Sequence, residues 1–112
     1  MRRQVWSQVS LPMAEYMNVV RFRVKAGKQQ EFESVFSSAE TWGGQLLHIL
    51  AKTGQQTYVA YGLWESEEKM ADARPNMIGL LDNIRHLLEE QSPELGVTDP
   101  VSSTVVFENQ IN

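Results

Sequence analysis

An α+β fold built on one four-stranded sheet is predicted from two hydrophobic patterns that alternate along the 112-residue chain. Four short segments are apolar or alternate apolar with polar residues, as β-strands do. Two longer segments repeat apolar residues every three to four positions, as amphipathic helices do. Glycine, proline and short polar stretches separate these segments. Their order is strand, helix, strand, strand, helix, strand, and the length is typical of one domain.

The first strand is predicted over residues 19–25, where apolar and basic residues alternate. A period of two puts the apolar side chains on one strand face and the basic ones, including Arg21 and Arg23, on the other. The first helix is predicted to begin near Lys28 and to end before Gly44, because glycine holds a helix poorly. Four apolar residues at helical spacing support this helix: Phe32, Val35, Phe36 and Ala39.

The second and third strands are predicted over residues 46–51 and 57–65. The polar turn between them, residues 53–56, is short enough to join an antiparallel hairpin. Apolar side chains fall on both faces of this hairpin, and they are Leu46, Leu50, Val59, Tyr61 and Leu63.

The second helix is predicted to start at Ser66, whose hydroxyl can accept a free backbone N–H as an N-cap. Pro75 leaves two alternatives, since it either begins a new helix or bends the one that Ser66 starts. The apolar pattern after Pro75 is predicted to continue as helix up to a stop at residues 92–93. A fourth strand is predicted over residues 101–107.

This βαββαβ order is the ferredoxin-like arrangement, in which a four-stranded antiparallel sheet carries two crossover helices. Right-handed crossovers place both helices on one face of the sheet. The other face then exposes apolar side chains, which predicts a partner, and a second copy of the chain is the simplest one, giving a homodimer. Residues 1–16 lack periodicity and are predicted to be a flexible N-terminal extension of a single domain over residues 17–112.

The charge and composition exclude several function classes. Acidic residues outnumber basic ones by 14 to 10 and no basic stripe occurs, so nucleic acid is not a predicted partner. The chain has no cysteine, which removes disulfides, thiolate nucleophiles and cysteine-ligated metal sites. No signal peptide and no apolar run of about 20 residues is present, so a cytoplasmic protein without membrane contact is predicted.

No metal or cofactor is expected from the sequence motifs. The two histidines, His48 and His86, are separated by a turn, a strand and much of a helix, and neither belongs to a metal-binding pattern. No phosphate loop or dinucleotide-binding motif occurs, and the glycine pair at residues 43–44 marks the end of a helix.

Four parts of the chain form a recognisable pattern in order: residues 19–28, residues 58–66, Ala73-Arg74-Pro75 with the helix over residues 81–88, and residues 98–101. They resemble the antibiotic-biosynthesis-monooxygenase-like domains, and the resemblance covers about residues 18–108. It implies a dimeric α/β barrel, in which two four-stranded sheets pack together with the helices outside. It also implies similarity to cofactor-independent monooxygenases, which oxidise quinol or anthrone compounds with dioxygen.

Some members of that family degrade heme, and Asn18 resembles an asparagine of those relatives. They also need a helix histidine as the iron ligand. Arg74 and Pro75 occupy about that place in this chain, and the helix histidine His86 lies further along. This departure argues against heme binding.

The candidate substrate-binding residues are Trp64, Tyr61 and Tyr58. Trp64 shares a strand face with Gly62, which leaves room for a flat aromatic ligand, and the resemblance implies a substrate-binding role for this tryptophan. The alternative is that Trp64 fills the core beneath the second helix. Tyr58 and Tyr61 lie on opposite strand faces, so one is predicted to line a pocket and the other to pack at an interface.

The candidate catalytic residues are His48 and Arg85. An imidazole titrates near neutral pH, so His48 could remove the proton that turns a substrate into an oxygen-reactive anion. Arg85 could stabilise the resulting oxyanion. The alternatives are a histidine without chemistry and a local ion pair between Arg85 and Asp82, three residues before it.

The predicted function is therefore cofactor-independent oxidation of a small aromatic, quinol-type compound by dioxygen. A non-catalytic, small-molecule-binding or stress-related dimer would explain the same residues. A purely structural domain is the third alternative, and its mark would be a pocket filled by Trp64 itself.

Overall fold

The computed structural model describes residues 13–109 and residue 111. The four strands form one antiparallel sheet in the order β2-β3-β1-β4, with β1 and β3 in the centre. This order confirms the predicted α+β, ferredoxin-like sheet. The elements are β1 (Tyr16–Arg23), α1 (Gln29–Ser37), β2 (Gln45–Lys52), β3 (Thr57–Trp64), α2 (Glu67–Ile84), a 3-10 turn (Arg85–Leu87) and β4 (Asp99–Thr104).

The strand register decides which side chains face the helices. Val20 lies opposite Ala60 and Phe22 lies opposite Tyr58, so the even-numbered residues of β1 and β3 share one face. That face is buried, because every second residue of β3 is inaccessible. The main core cluster forms there and comprises Phe22, Val24, Phe32, Tyr58, Ala60, Ile84, Leu87 and Leu88.

A smaller cluster lies at the carboxyl end of β3. Trp64, Met70 and Ala73 are buried together, and Tyr16, Trp42 and Met77 pack against them. The two clusters leave the middle of α2 less closely packed against the sheet, and the cavity described below lies there.

The second helix begins as predicted and ends earlier than predicted. The Ser66 side chain accepts a hydrogen bond from the backbone N–H of Lys69 at 3.1 Å, as an N-cap does. Pro75 lies inside a single helix that continues through it, so the alternative of a new helix at Pro75 is wrong.

The α-helix ends at Ile84 and not near residue 92. The chain tightens into the 3-10 turn, after which Leu88 forms a bridge with Val24. Leu87 and Leu88 are still buried, so the apolar pattern is correct while its last part is not α-helical. Burial against β1 therefore determines where the helix stops.

The boundaries of the outer strands differ from prediction because pairing sets them. β1 begins at Tyr16, whose partner Thr104 is the last residue of β4. β4 therefore covers residues 99–104 and not 101–107. Pro100 is tolerated within it because β4 is an edge strand, where an N–H that points to solvent takes part in no ladder bond. Of the predicted extension over residues 1–16, residues 1–12 lie outside the described part of the chain.

The face of the sheet opposite the helices is apolar and open. Val101 is 60% exposed, Leu47 39% and Ile49 37%. Register places Met17, Val19, Val59, Tyr61 and Leu63 on the same face. Among the described residues, no helix is long and apolar enough to cross a membrane.

Candidate functional site

A cavity of about 470 Å³ lies between the sheet and α2 and is partly open to solvent. Its volume falls within the range of small-molecule sites. The walls are mainly apolar, and the polar groups on them are few. The residues that line it include Asn18, Val20, Phe22, Phe36, Trp42, His48, Ala60, Gly62, Met70, Arg74, Met77, Ile78, Leu81, Thr98, Pro100 and Ser102.

Trp64 lies behind this cavity and not in it. Its side chain is fully buried, and its ring stacks on Trp42 with centroids 6.3 Å apart and planes 10° apart. The indole N–H donates a hydrogen bond to Oδ1 of Asn18 at 2.7 Å. Trp64 therefore packs in the core beneath α2, as the alternative interpretation had it, while a cavity of ligand size remains beside it.

The hydrogen bond to Trp64 orients the Asn18 amide. An indole N–H can only donate, so the Asn18 oxygen must face Trp64 and the Asn18 NH₂ must point away from it. That Nδ2 lies 3.9 Å from the sulfur of Met77, a weak acceptor on the cavity wall. Asn18 thus presents a fixed and weakly occupied hydrogen-bond donor to the cavity.

Gly62 makes this arrangement possible. A Cβ at Gly62 would lie 2.9 Å from Oδ1 of Asn18 and 3.1 Å from Nε1 of Trp64. The open space predicted beside Trp64 is therefore occupied by the Asn18 and Gln45 side chains. A side chain at position 62 would enter the hydrogen bond between Asn18 and Trp64.

His48 is placed on the cavity wall by β2, directly opposite Gly62 of β3. Its ring centroid is 5.9 Å from that of Phe36 and 6.1 Å from that of Trp42. No hydrogen bond joins its imidazole to any described residue. The ring keeps accessible surface, but partial burial among aromatic groups lowers the pKa of His48 below its usual 6.5, so the neutral form predominates at pH 7.

Tyr58 lies outside this cavity, in the main core. Only 2% of it is exposed, and its hydroxyl donates a 2.5 Å hydrogen bond to Oε2 of Glu33. Burial, together with the hydrogen bond to Glu33 and its charge, raises the pKa of Tyr58 to about 12. Its hydroxyl is therefore protonated and occupied at neutral pH. Tyr58 instead borders a second concavity, which it shares with Glu33, Lys52 and His48.

Tyr61 and Arg85 are placed differently from what their predicted roles require. Tyr61 is one of the residues that border the cavity, but register puts its side chain on the open face, opposite Val19 and Ile49. Arg85 is exposed and its Nε lies 3.1 Å from Oδ1 of Asp82, in the local ion pair considered above. Of the five predicted residues, His48 and Tyr61 border the cavity, and the strand register directs the His48 side chain, but not that of Tyr61, to the cavity side of the sheet.

Three cavity residues carry more of the site than the sequence indicated. Asn18 lies two residues before Val20, so it is on the same strand face as Val20 and Phe22. A predicted first strand that began earlier would have placed it there. Trp42 follows α1 in a loop without a periodic pattern, so no sequence signal placed it. Arg74 comes directly before Pro75, and its place on the cavity wall depends on the helix continuing through that proline.

Metal ligands do not cluster in the described part of the chain. No group of three or more histidine, aspartate or glutamate side chains there is arranged to hold an ion. The polar groups available to a ligand are therefore an amide, an imidazole, a guanidinium and hydroxyls, all on apolar walls.

Comparison with known proteins gives matches by structure alone. No protein-family model and no curated protein matches the sequence. The SnoaB cofactor-independent oxygenase of Streptomyces nogalater, in a mutant form, is similar with a TM-score of 0.67 and 22% identity, over 86% of this chain and 97% of that one.

Two further solved structures show the same fold. A monooxygenase from the ActVA-Orf6 gene of Streptomyces coelicolor, in complex with Nanaomycin D, matches with a TM-score of 0.67 and 21% identity over 94% of this chain and 99% of that one. A protein assigned provisionally as an antibiotic biosynthesis monooxygenase, from Chloroflexus aurantiacus, matches with a TM-score of 0.68 and 14% identity over 88% and 100%. At these identities the likeness establishes the fold, and this chain has the fold of the antibiotic-biosynthesis-monooxygenase-like proteins.

Proposed function

We propose that this protein is a cofactor-independent monooxygenase that oxidises a small aromatic, quinol-type compound with dioxygen. The observation that carries the proposal is the neutral His48 imidazole, which has no hydrogen bond to a described residue, on the wall of an apolar cavity of ligand size. The shared fold with a cofactor-independent oxygenase and with a monooxygenase bound to Nanaomycin D supports it.

In the proposed reaction His48 takes a proton from the substrate and leaves an electron-rich anion. A neutral imidazole is suited to this step, because it has a free lone pair and its protonation near pH 7 is reversible. For an anthrone-type substrate, the methylene carbon becomes a carbonyl with one oxygen atom of dioxygen, and the other leaves as water. The substrate supplies every electron, so no external reductant is needed.

The neighbouring residues would bind and orient the ring system. Trp42 and Phe36 flank His48 and offer flat aromatic surfaces to a planar ligand. The Asn18 Nδ2 donor is fixed by Trp64, so it can bind a ligand oxygen on which negative charge develops. Trp64 acts in this proposal as a positioning residue. Tyr58 and Arg85 have no direct contact with the ligand in it.

We also propose that the protein functions as a homodimer that packs the open faces of two sheets together. The exposed apolar side chains of that face support this, because isolated domains seldom leave so continuous an apolar surface uncovered. Tyr61 would then lie at the interface between subunits. The cavity lies on the opposite face of the sheet, so each subunit would keep its own site.

The test is oxygen uptake by the purified protein with a panel of anthrones and hydroquinones and no added cofactor. We expect protein-dependent uptake that falls about 10²–10⁴-fold in His48→Gln, the usual contribution of a positioned base. His86→Gln is the matched control, since His86 is an exposed histidine facing Glu31 at 3.7 Å, outside the cavity. Equal uptake by wild type and His48→Gln would contradict the role of His48.

A non-catalytic binding protein is the second candidate, and one observation favours it. Catalytic histidines are commonly oriented by a hydrogen-bonding partner, and His48 has none among the described residues. A binder would bind the aromatic panel with similar affinity in wild type and His48→Gln and would consume no oxygen. Calorimetric titration of the same compounds distinguishes the two candidates.

A further inference from the structure

We infer that the cavity selects aromatic ligands that carry a carboxylate, and that Arg74 is the residue that binds this anion. This inference deepens the proposed function and rests on it, because it assigns a charge to the ligand of the same cavity. It follows from the distribution of charges around the cavity and from the absence of a partner for Arg74 within the described chain.

Arg74 contributes to the cavity wall from the middle of α2 and is exposed. It forms no hydrogen bond or ion pair with any described residue. Arg85, which lies just after the same helix, is by contrast paired with Asp82. A guanidinium that has five donors and no acceptor nearby can bind a planar carboxylate through two parallel hydrogen bonds.

The cavity wall carries positive charge in an otherwise acidic chain. The whole sequence has a formal net charge of −4, yet among the described residues no aspartate or glutamate lines the cavity. Arg74 is the cation on that wall, and His48 is neutral at pH 7 because its pKa is lowered. An anionic group in the cavity would therefore meet one fixed cation and no fixed anion.

The rest of the wall specifies an aromatic body for this ligand. Phe36 and Trp42 offer ring faces, and Met77 and Leu81 offer flexible apolar contact. A small inorganic anion would lose its hydration in this apolar cavity and gain only the pairing with Arg74. An aromatic carboxylate gains that pairing and also the burial of its ring. The chemistry thus points to an aromatic monocarboxylate over an inorganic ion.

Binding of two matched probes tests the inference. Naphthoate and naphthamide have the same ring system and nearly the same shape, but only naphthoate is charged at neutral pH. Isothermal titration calorimetry on wild-type protein should give up to about fivefold tighter binding of naphthoate, the factor typical of a charge pair that involves an exposed cation such as Arg74. The preference should shrink at high ionic strength.

Three variants test whether Arg74 supplies the positive charge that binds naphthoate. Arg74→Gln should abolish the preference for naphthoate while leaving naphthamide binding unchanged, and Arg74→Lys should retain part of it, because lysine keeps the charge and loses the bidentate geometry. Arg85→Gln is the matched control: it removes the same charge outside the cavity and should retain the full preference.

Three results would overturn the inference: no preference in wild type, no binding of either probe, or a preference that survives Arg74→Gln. Oxygen uptake, measured separately on the uncharged compounds of the panel, keeps the two proposals distinguishable. A naphthoate preference without any oxygen uptake supports the anion site and counts against the oxygenase. Oxygen uptake without a preference for naphthoate supports the oxygenase and counts against the anion site.

Discussion

At the scale of single residues, the site depends on which polar groups are already satisfied. The Trp64 indole N–H, the Tyr58 hydroxyl and Arg85 Nε each donate to a partner within the chain, whereas the His48 imidazole and the Arg74 guanidinium have no partner among the described residues. A group that is already paired gains little by binding a ligand, because it must first give up that partner. Unpaired groups beside a cavity are therefore better candidates for ligand contact.

The lowered pKa of His48 predicts where activity is lost with pH. Only the neutral imidazole can act as a base, so activity should fall as pH drops through a pKa below 6.5. The same burial should make folding stability fall as pH drops below 6.5, because the unfolded chain then binds the proton more readily than the folded one. Proton NMR titration, assigned with His48→Gln, measures this pKa, and a midpoint at or above 6.5 would contradict the prediction.

Gly62→Ala should destabilise the protein by about 1–3 kcal/mol. The added methyl would lie 2.9 Å from Oδ1 of Asn18 and would displace the acceptor of the buried Trp64 N–H. Urea unfolding measures the loss. Gly43→Ala is the control, because no atom of the described residues lies within 4 Å of the Cβ it would add. Equal stability of the two variants would show that the Asn18–Trp64 hydrogen bond matters little.

At the scale of elements, α2 is the part of the fold that makes room for a ligand. Pro75 removes one backbone hydrogen bond and Gly79 adds flexibility in the same helix, and the cavity lies beneath the turns around them. The buried anchors of α2, such as Met70 and Ile84, lie toward its two ends. The helix is therefore anchored in the core near both ends, and the cavity lies beneath its middle.

Gly79→Ala should stabilise the protein by about 0.5–1 kcal/mol, since glycine is costly inside a helix and the new Cβ meets no atom within 4 Å. Thermal or urea unfolding tests this. Gly44→Ala should instead destabilise the protein. Gly44 has a φ of +83°, which favours glycine, and an added Cβ would lie 2.5 Å from the Cβ of Lys69. A destabilised Gly79→Ala would mean that α2 packs more closely in solution.

At the scale of the whole molecule, the two faces of the sheet have separate tasks. The helix-covered face contains the core and the cavity, while the open face presents apolar side chains to solvent. In the proposed dimer the open faces would cover each other and leave both cavities accessible.

Ile49→Lys should convert the proposed dimer into monomers, because a two-fold interface would bury the new charge twice. Analytical ultracentrifugation of wild type and variant measures the change in mass. Leu95→Lys is the control, since Leu95 is 46% exposed but lies in the loop before β4. A monomeric wild type, or a dimer that tolerates Ile49→Lys, would rule out packing through this face.

Much of the fold could be predicted from local pattern alone. Three local patterns depend on residues a few positions apart: the alternation around Phe22, the helical spacing around Phe32 and the N-cap at Ser66. The sequence by itself therefore determined the order of strands and helices, and with that order the fold class. The ends of β4 and α2 were misplaced because they depend on pairing with Tyr16 and Val24, which are distant in sequence.

Only the tertiary structure decided the composition of the site. The sequence identified His48 as a candidate, but it could not show that Trp64 is enclosed, that Arg85 pairs with Asp82, or that Asn18 and Arg74 border the same cavity. The physical reason is that periodicity determines which face of an element a side chain occupies. Which side chains from different elements share a cavity, and which are already paired, depends on long-range packing.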